Sequence, residues 1–282
     1  MVSLHHINQC LELPGSGGKE LTAKESAELE KRFYERRWES SSTELSSEER
    51  DRLAITVASV PEDCRSVLDV GCGDGRVSQL LRRVREGLLV AFDLSLAALR
   101  RFPPPGCCGS AEFLPFADRV FDLVMATEIM EHLPQAVYVC ALQEMARVAQ
   151  RYILVTVPNN ENLNENIAVC PACGSRFHVW GHRRTYTSTE LAKVFSGFRI
   201  ARIFSFGSKI ATYNRCLLWV RMRLAGACCW EEQTVCYACG SARRPEPRWP
   251  LLARGCDSLN YRFWGRVFQR SSWLLALFER EF

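Results

Sequence analysis

The chain has 282 residues, of which 47% are apolar and 24% are charged, and its formal net charge is +4. This composition predicts an ordinary globular protein with one good core and chain left for a small extra module. So small a net charge does not support nucleic-acid binding by bulk electrostatics, so no nucleic-acid partner is expected. The N-terminus lacks the pattern of a signal peptide, and no stretch reaches the roughly 18 apolar residues of a membrane-spanning helix, so we expect a cytoplasmic protein.

Residues 1–60 are predicted to form an N-terminal helical lid segment. Within it, Thr22 to Trp38 is predicted to be a helix, and Ser46 with the acids after it marks the start of another. Phe33, Tyr34 and Trp38 either cover a ligand or only pack this helix onto the domain. The sequence leaves both roles open.

Residues 61–206 alternate between strand-like and helix-like segments. The predicted elements are strand 66–70, helix 75–85, strand 88–92, helix 95–101, a short strand near 108–111, strand 121–127, helix 134–149, strand 152–157, helix 187–195 and strand 198–206. This order predicts an α/β fold, a Rossmann-like doubly wound and mostly parallel sheet with helices on both faces. Right-handed crossovers bring the carboxyl ends of the strands to one edge, where Asp69, Asp93, Ser110 and Glu128 are expected to converge.

The stretch Val67 to Gly75 is the most informative part of this domain. An apolar strand containing Asp69 runs into three glycines at alternate positions, Gly71, Gly73 and Gly75. Glycine at these positions allows left-handed dihedrals and lets a ligand lie directly on the backbone. Asp93 ends a second apolar strand 24 residues later, at the spacing of a βαβ unit whose carboxylate can hold a ribose diol. An acid so close to the turn would repel a pyrophosphate, but it suits the ammonium group of a methionine moiety.

Together these elements resemble class I S-adenosylmethionine-dependent methyltransferases of the type 11 kind, over about residues 60 to 205. The alternatives are a dinucleotide site or a purely structural glycine turn. The resemblance implies that the glycine turn holds the methionine end of the cofactor and that Asp93 holds the ribose. Ser110 stands where many members carry an Asp that bonds the adenine amino group, and a serine can still offer an oxygen. The cofactor-binding residues implied are Asp69, Gly71, Gly73, Gly75, Asp93, Leu94, Ser110, Ala111, Glu112 and Thr127.

The segment that follows the fourth predicted strand contains Glu128, Glu131 and His132. This Glu-x-x-Glu-His pattern is similar to that of ubiquinone-pathway O-methyltransferases, where it lies beside the reacting hydroxyl. The resemblance implies catalytic roles for Glu128 and His132. Alternatively, Glu131 and His132 only cap the turn between the strand and the helix.

Four of the 14 cysteines form two near copies of a C-x-x-C-G knuckle, Cys170 with Cys173 and Cys236 with Cys239. Two such knuckles supply the four thiolates of a closed, structural zinc site. The 62 residues between the knuckles exceed the usual spacing, so free thiols or a redox pair stay open. Knuckles of this kind, inserted in the domain, resemble a segment of uncharacterised bacterial methyltransferases. In that segment, residues matching His178 and His182 either ligate metal, serve the substrate pocket or are structural.

The segment 159–186 is predicted to be an insertion in the domain, and residues 207–282 a third region. This third region contains the second knuckle and, from Leu259 to Phe282, amphipathic helices. These helices either pack on the domain or make weak contact with a membrane surface.

The function predicted is methyl transfer from S-adenosylmethionine to a small-molecule acceptor, on oxygen more than on nitrogen, by in-line displacement. One alternative is a non-catalytic partner protein with the same fold, and another is a methyltransferase that acts on protein or RNA. The sequence does not identify the acceptor or the oligomeric state.

Overall fold

The computed structural model describes Lys31, Tyr34, Glu35 and Trp38, and then residues 45–101, 106–231 and 234–281. The predictions for residues 1–30 and for Phe33 therefore lie outside the described residues. The four described residues between 31 and 38 are helical, as expected for the helix up to Trp38.

The described helices are α1 (Ser47–Ala58), α2 (Arg76–Val84), α3 (Leu96–Leu99), α4 (Gln135–Val148), α5 (Ser188–Leu191), α6 (Arg215–Trp219), α7 (Pro250–Leu259) and α8 (Gly265–Val267). A 3₁₀ turn covers Leu163–Asn166, and π-helical turns cover Val220–Leu224 and Asn260–Trp264. The strands are β1 (Ser66–Val70), β2 (Leu88–Asp93), β3 (Gly106–Cys108), β4 (Phe121–Thr127), β5 (Ala149–Pro158), β6 (Ile167–Val169), β7 (Arg176–His178), β8 (Phe198–Ala211) and β9 (Gln269–Arg280). None of the helices in the described residues combines the length and apolar character needed to cross a membrane.

Seven strands form the central sheet, in the order β3-β2-β1-β4-β5-β9-β8. The first five of these pair in parallel, while β9 runs antiparallel to both of its neighbours. Alternate residues of β1 face opposite sides of the sheet, so Leu68 and Val70 join one core cluster and Val67 joins the other. The predicted Rossmann-like, mostly parallel sheet is confirmed.

The C-terminal segment departs from the prediction. Helical structure does occupy Pro250–Val267, but Gln269–Arg280 form strand β9 in place of the expected helix. Leu274, Ala276 and Phe278 pack into one core cluster and Leu277 into the other, so both faces of β9 are buried. A strand buried on both faces has a nearly continuous apolar sequence, which hides the period of two that marks a strand.

Smaller differences concern element ends. The predicted helix 187–195 ends at Leu191, and the short third strand covers Gly106–Cys108 and not 108–111. The start of α1 is confirmed: Ser46 and Glu49 form a reciprocal capping box. The inserted segment contains its own two-stranded hairpin, β6 with β7, whose turn carries the first cysteine knuckle.

Candidate functional site

The glycine turn links β1 to α2 at the carboxyl edge of the sheet. Gly71 and Gly73 have φ values of 68° and 55°, which favour glycine. A Cβ on Gly71 would lie 2.3 Å from Ile129, and a Cβ on Gly73 would lie 2.5 Å from the ring of Trp38. The turn therefore needs glycine both for its conformation and for the close approach of its neighbours.

Asp93 joins the second strand to this turn. One carboxylate oxygen accepts a hydrogen bond from the amide of Gly73 and the other accepts one from the amide of Ser95, both at 2.8 Å. Burial and the neighbouring charge of Glu35 raise the pKa of Asp93, while the backbone donors oppose that shift. The side chain is thus held rigidly where the prediction puts the ribose.

Asp69 lies fully buried under the same turn. Its Oδ2 accepts a 2.6 Å hydrogen bond from the Ser78 hydroxyl, whereas its Oδ1 has no hydrogen-bond partner among the described residues. Burial, with a contribution from the Asp93 carboxylate, raises the pKa of Asp69 to about 7, and the Ser78 bond opposes this rise. The turn therefore combines glycine backbone, covered here by the side chains of Ile129 and Trp38, with buried carboxyl groups that favour a cationic ligand.

The described residues of the N-terminal helix lie over this site. Both oxygens of the Glu35 carboxylate accept hydrogen bonds from the first amides of α3, at 2.7 and 2.9 Å. Trp38 packs against Gly73, and the ring of Tyr34 meets the ring of His132 edge-on with centroids 6.2 Å apart. Glu35 thus lies at the start of α3, just after Asp93, and Tyr34 lies at the segment after β4.

The remaining residues predicted to bind cofactor follow the next strands. Leu94 comes directly after β2, Ser110 to Glu112 come after β3, and Thr127 ends β4. The Ser110 hydroxyl donates to the Glu112 carboxylate at 3.2 Å, so these two predicted adenine contacts are tied to each other. Topology brings all of them to one edge of the sheet, and their contact with a cofactor stays a prediction.

The segment after β4 buries two carboxyl groups. Glu128 has a left-handed φ of 54°, an uncommon conformation for a residue with a side chain, and accepts a 3.0 Å hydrogen bond from the indole of Trp273. Neither oxygen of the buried Glu131 has a hydrogen-bond partner among the described residues. Burial raises the pKa of both carboxyl groups, and the charge of Glu128 raises the pKa of Glu131 further. His132 lies beside them, with its Nε2 3.8 Å from Glu131 Oε1.

Two residues of this site carry no recognisable signal in the sequence. Trp273 comes from β9, which the hydrophobic pattern assigns to a helix. Glu161 lies in the loop after β5, and its Oε2 is 2.5 Å from His182 Nδ1 while its Oε1 is 3.4 Å from His178 Nε2. Burial alone would raise the pKa of Glu161, but hydrogen bonds to the two histidines outweigh burial and hold that pKa well below its usual range.

The two cysteine knuckles meet in space. The Sγ atoms of Cys170 and Cys239 are 3.6 Å apart, those of Cys173 and Cys236 are 3.7 Å apart, and all four lie within 4.8 Å of one another. Zinc–sulfur bonds of about 2.3 Å in a tetrahedron place the sulfurs about 3.8 Å apart, close to these distances. Each knuckle closes with the same 2.9 Å bond, from Gly174 to Cys170 and from Gly240 to Cys236. The geometry fits a tetrahedral thiolate site.

The second knuckle also supports the histidines. The hydroxyl of Tyr237 donates to the backbone oxygens of His178 and Val179, at 3.1 and 3.3 Å. Its ring packs edge-on against Phe177, with centroids 4.9 Å apart. The cysteine cluster therefore fixes the backbone that carries His178.

Comparison with known proteins agrees with the fold and the glycine turn. A methyltransferase domain family matches residues 68–152. The malonyl-[acyl-carrier protein] O-methyltransferase of Herminiimonas arsenicoxydans is 38% identical over 92 residues, 31% of this chain and 35% of that protein. The human mitochondrial arginine-hydroxylase NDUFAF5 is 32% identical over 88 residues, 29% of this chain and 26% of that protein. The chain thus spans well under half the length of the curated relatives it matches.

A solved structure covers more of the chain. The 1,6-didemethyltoxoflavin-N1-methyltransferase of Burkholderia thailandensis, determined with S-adenosylhomocysteine, aligns over 95% of this chain and 94% of its own, with a TM-score of 0.53 and 12% identity. At this identity the similarity shows the fold alone. The family match, the sheet order and the glycine turn agree: residues 68–152 are similar to a methyltransferase domain, and they lie on a sheet with the Rossmann-like methyltransferase fold.

Proposed function

We propose that the protein transfers a methyl group from S-adenosylmethionine to a small-molecule acceptor, on oxygen in preference to nitrogen. The observation that carries this proposal is the turn in which the Gly73 amide is bonded to Asp93 above the buried Asp69. The left-handed glycines carry no Cβ, so a ligand that displaces the side chains of Ile129 and Trp38 would lie directly on their backbone, and we assign Asp93 to the ribose diol.

Charge favours a sulfonium nucleoside over a dinucleotide at this turn. Burial is the main cause of the raised pKa of Asp69 and of Asp93, and a neighbouring carboxylate adds to each rise, Asp93 at Asp69 and Glu35 at Asp93. Three carboxyl groups therefore lie close together at this turn. S-adenosylmethionine carries a sulfonium and an ammonium group, and both would be attracted. A pyrophosphate would add two negative charges to the same place. Asp69 Oδ1, which has no hydrogen-bond partner among the described residues, could accept a hydrogen bond from a cationic ligand.

We assign the acceptor to the segment after β4. Ile129 packs on Gly71, so Glu128 and His132 lie on the side of the turn where the reactive end of the cofactor would sit. The raised pKa of Glu128 favours its protonated form, which suits hydrogen bonding to the acceptor. His132 is then the better group to take a proton from a hydroxyl. One relative is named for O-methylation, which also supports an oxygen acceptor.

Calorimetry with the purified protein tests cofactor choice first. We expect micromolar binding of S-adenosylmethionine and S-adenosylhomocysteine, and none of NAD at the same concentrations. An enzyme-coupled assay for S-adenosylhomocysteine, run over a panel of hydroxyl and amine acceptors, then tests transfer. Binding of NAD in place of S-adenosylmethionine would reject the proposal.

A second activity must be weighed, because one relative is named a hydroxylase. A protein that binds S-adenosylmethionine but forms no S-adenosylhomocysteine with any acceptor would favour a non-methylating role, catalytic or as a partner protein. Formation of S-adenosylhomocysteine only with added protein or RNA would identify a macromolecular acceptor.

We further propose that Cys170, Cys173, Cys236 and Cys239 bind one structural zinc ion. Four thiolates leave no open position on the metal, and the cluster joins the inserted hairpin to residues 234–240. Such thiolates need a reducing compartment, which supports the expected cytoplasmic location.

A further inference from the structure

A second group of metal-binding side chains lies beside the proposed acceptor site and shares no residue with the cysteine cluster. A carboxylate oxygen of Glu131 and one ring nitrogen each of His132 and His182 lie within 4.8 Å of one another. Glu131 is fully buried, and His132 and His182 are partly buried. The three come from the loop after β4 and from the inserted segment, which are distant in sequence.

Glu131 gives the strongest sign that a cation belongs here. A buried carboxyl group normally has hydrogen-bond partners, but both oxygens of Glu131 lack one among the described residues. Two more buried carboxyl groups, Glu128 and Glu161, are close enough to raise the pKa of Glu131 further. A divalent cation would supply the missing contacts and offset this repulsion.

His182 is oriented as a metal ligand would be. Its Nδ1 lies 2.5 Å from the Glu161 carboxylate, so Nδ1 is engaged as the donor and Nε2 is the nitrogen left for a metal. His178 stacks on His182 with ring centroids 4.8 Å apart, and its Nδ1 accepts bonds from the amides of Trp180 and His182. His178 therefore supports the ring of His182 by stacking, and its Nε2 lies 3.4 Å from Glu161 Oε1. A carboxylate that fixes the far nitrogen of a ligating histidine is the usual support of a metal site.

We propose that Glu131, His132 and His182 bind a divalent transition-metal cation such as zinc, with Glu161 and His178 holding His182 in place. Two imidazoles and one carboxylate suit zinc or ferrous iron better than magnesium. Three protein ligands leave coordination positions open, as in catalytic sites and unlike the closed cysteine cluster.

The open position gives the cation a role that rests on the proposed methyl transfer. An acceptor hydroxyl bound to the cation would lose its proton to water more readily, and the resulting oxygen anion would attack the methyl group. The oxygen–methyl bond forms as the sulfur–methyl bond breaks, and the sulfur keeps the electron pair to leave as S-adenosylhomocysteine. With the cation bound, this route replaces the direct proton transfer to His132 described above, and His132 acts as a ligand of the cation. Acceptors with a hydroxyl, especially two adjacent oxygens, fit such a site.

Metal analysis tests the site without any acceptor. Purified full-length protein, stripped with chelator and titrated with Co²⁺, should bind one ion with intense sulfur-to-metal absorption and another with only weak visible bands. His182→Ala and Glu131→Gln should weaken binding of the second ion at least tenfold and leave the sulfur band unchanged. Cys239→Ser should weaken the sulfur-to-metal band and leave binding of the second ion unchanged. Glu131→Gln keeps the side-chain shape, so it tests the site even if the alanine variant misfolds. Calorimetry with S-adenosylmethionine checks that each variant keeps its cofactor site.

The outcomes separate this proposal from the proposed function. Unchanged Co²⁺ binding in both His182→Ala and Glu131→Gln, or no ion beyond the one bound by sulfur, overturns the metal site. A second ion bound by a protein that never forms S-adenosylhomocysteine supports the site and rejects methyl transfer.

An independent observation concerns the surface of the C-terminal helices. Residues 207–268 contain ten Lys and Arg but only four Asp and Glu, a formal net charge of +6, whereas the whole chain has +4. The same region exposes large apolar side chains, among them Trp249, Leu251, Tyr261, Phe263, Val267 and Phe268. An open groove of about 600 Å³ between the two helical segments is lined by Arg223 and Arg248 together with Trp249 and Leu251.

We propose that this arginine and aromatic surface docks on an anionic lipid bilayer. Exposed leucine and aromatic side chains favour the boundary between headgroups and acyl chains, and arginines attract anionic headgroups. The groove places two guanidinium groups beside apolar side chains, which matches a phosphate headgroup and the start of its chains.

Sedimentation with vesicles tests this docking. The full chain should bind phosphatidylcholine vesicles containing roughly 30% phosphatidylglycerol, because basic side chains are attracted to an anionic surface, and should not bind pure phosphatidylcholine. Binding should fall with salt, and Arg223→Gln with Arg248→Gln should reduce it about tenfold, as should Leu251→Ala with Phe263→Ala. No binding to anionic vesicles overturns the proposal. Tight RNA binding without vesicle binding, or self-association lost in Leu251→Ala, assigns the surface to another occupant and also overturns it.

Discussion

The amide nitrogen of Gly73 lies 2.8 Å from a carboxylate oxygen of Asp93, so one hydrogen bond fastens the glycine turn to the end of the second strand. The other oxygen of Asp93 is bonded to the amide of Ser95. In Asp93→Asn, one of these two backbone donors would face an amide NH₂ group and lose its acceptor. We expect calorimetry to show at least tenfold weaker binding of S-adenosylmethionine, a loss of about 1.4 kcal/mol.

Asp122 provides a matched control for that experiment. Its carboxylate also accepts bonds from two amides, those of Arg65 and Ser66, but at the start of β4. Asp122→Asn should lower the thermal midpoint and leave the cofactor affinity within twofold of the parent. Equal affinities in Asp93→Asn and the parent would show that Asp93 does not hold the cofactor.

Asp69→Asn should stabilise the protein without cofactor in a pH-dependent way. The folded-state pKa of Asp69 is raised to about 7, so between pH 4 and 7 the unfolded chain ionises this group while the folded protein keeps its proton. Stability of the parent therefore falls as pH rises through this window. Asparagine cannot ionise and still accepts the Ser78 hydrogen bond, so the gain in unfolding free energy should grow to roughly 4 kcal/mol above pH 7.

Urea unfolding at pH 4, 5.5 and 7.5 measures this difference, and calorimetry on the same samples should show weaker cofactor binding by Asp69→Asn. The two effects together would mark a residue kept for function at a cost in stability. A stability difference independent of pH would contradict the assigned pKa.

Trp38 should report cofactor binding. Its ring lies against Gly73, where the cofactor would approach the turn, so binding must change its surroundings. Trp38→Phe keeps an aromatic ring and should remove most of the change in tryptophan fluorescence that S-adenosylmethionine produces, while affinity stays within about threefold. Trp249→Phe is the control, because this exposed tryptophan lies on the C-terminal helices and should leave the signal intact. A full signal in Trp38→Phe would place the cofactor away from this ring.

Cys239→Ser should remove zinc and lower the thermal midpoint. Loss of one thiolate opens the site, and the hairpin β6–β7 then loses its attachment to residues 234–240. For a chain of this size a loss of a few kcal/mol corresponds to a fall of about 5–10 °C. Elemental analysis and a thermal melt measure both effects. Cys140→Ser, an exposed cysteine on α4, should change neither. Zinc-free parent protein with an unchanged melt after added zinc would reject the structural metal.

Local sequence patterns predicted most strands of the sheet, but they predicted fewer of the residues of the candidate site. Strands 66–70 and 121–127 were predicted with the bounds they have, because apolar strands followed by turn residues leave little choice. The two cysteine knuckles were also predicted, because each is a local C-x-x-C-G motif that can be recognised without the other. Glu161 and Trp273 were not, because each contacts its partner only through tertiary folding. Trp273 meets Glu128 across 145 positions of sequence, and no local pattern records such a contact.

The strands do not lie in the sheet in the order in which they are synthesised. Strand β9 is synthesised after β8 but lies between β5 and β8. Until Gln269–Arg280 have been made, β5 presents an open edge and β8 has no place to dock. We infer that the sheet closes only after translation of this segment, which makes its slow, long-range pairing the step at which a nascent chain is most exposed to aggregation.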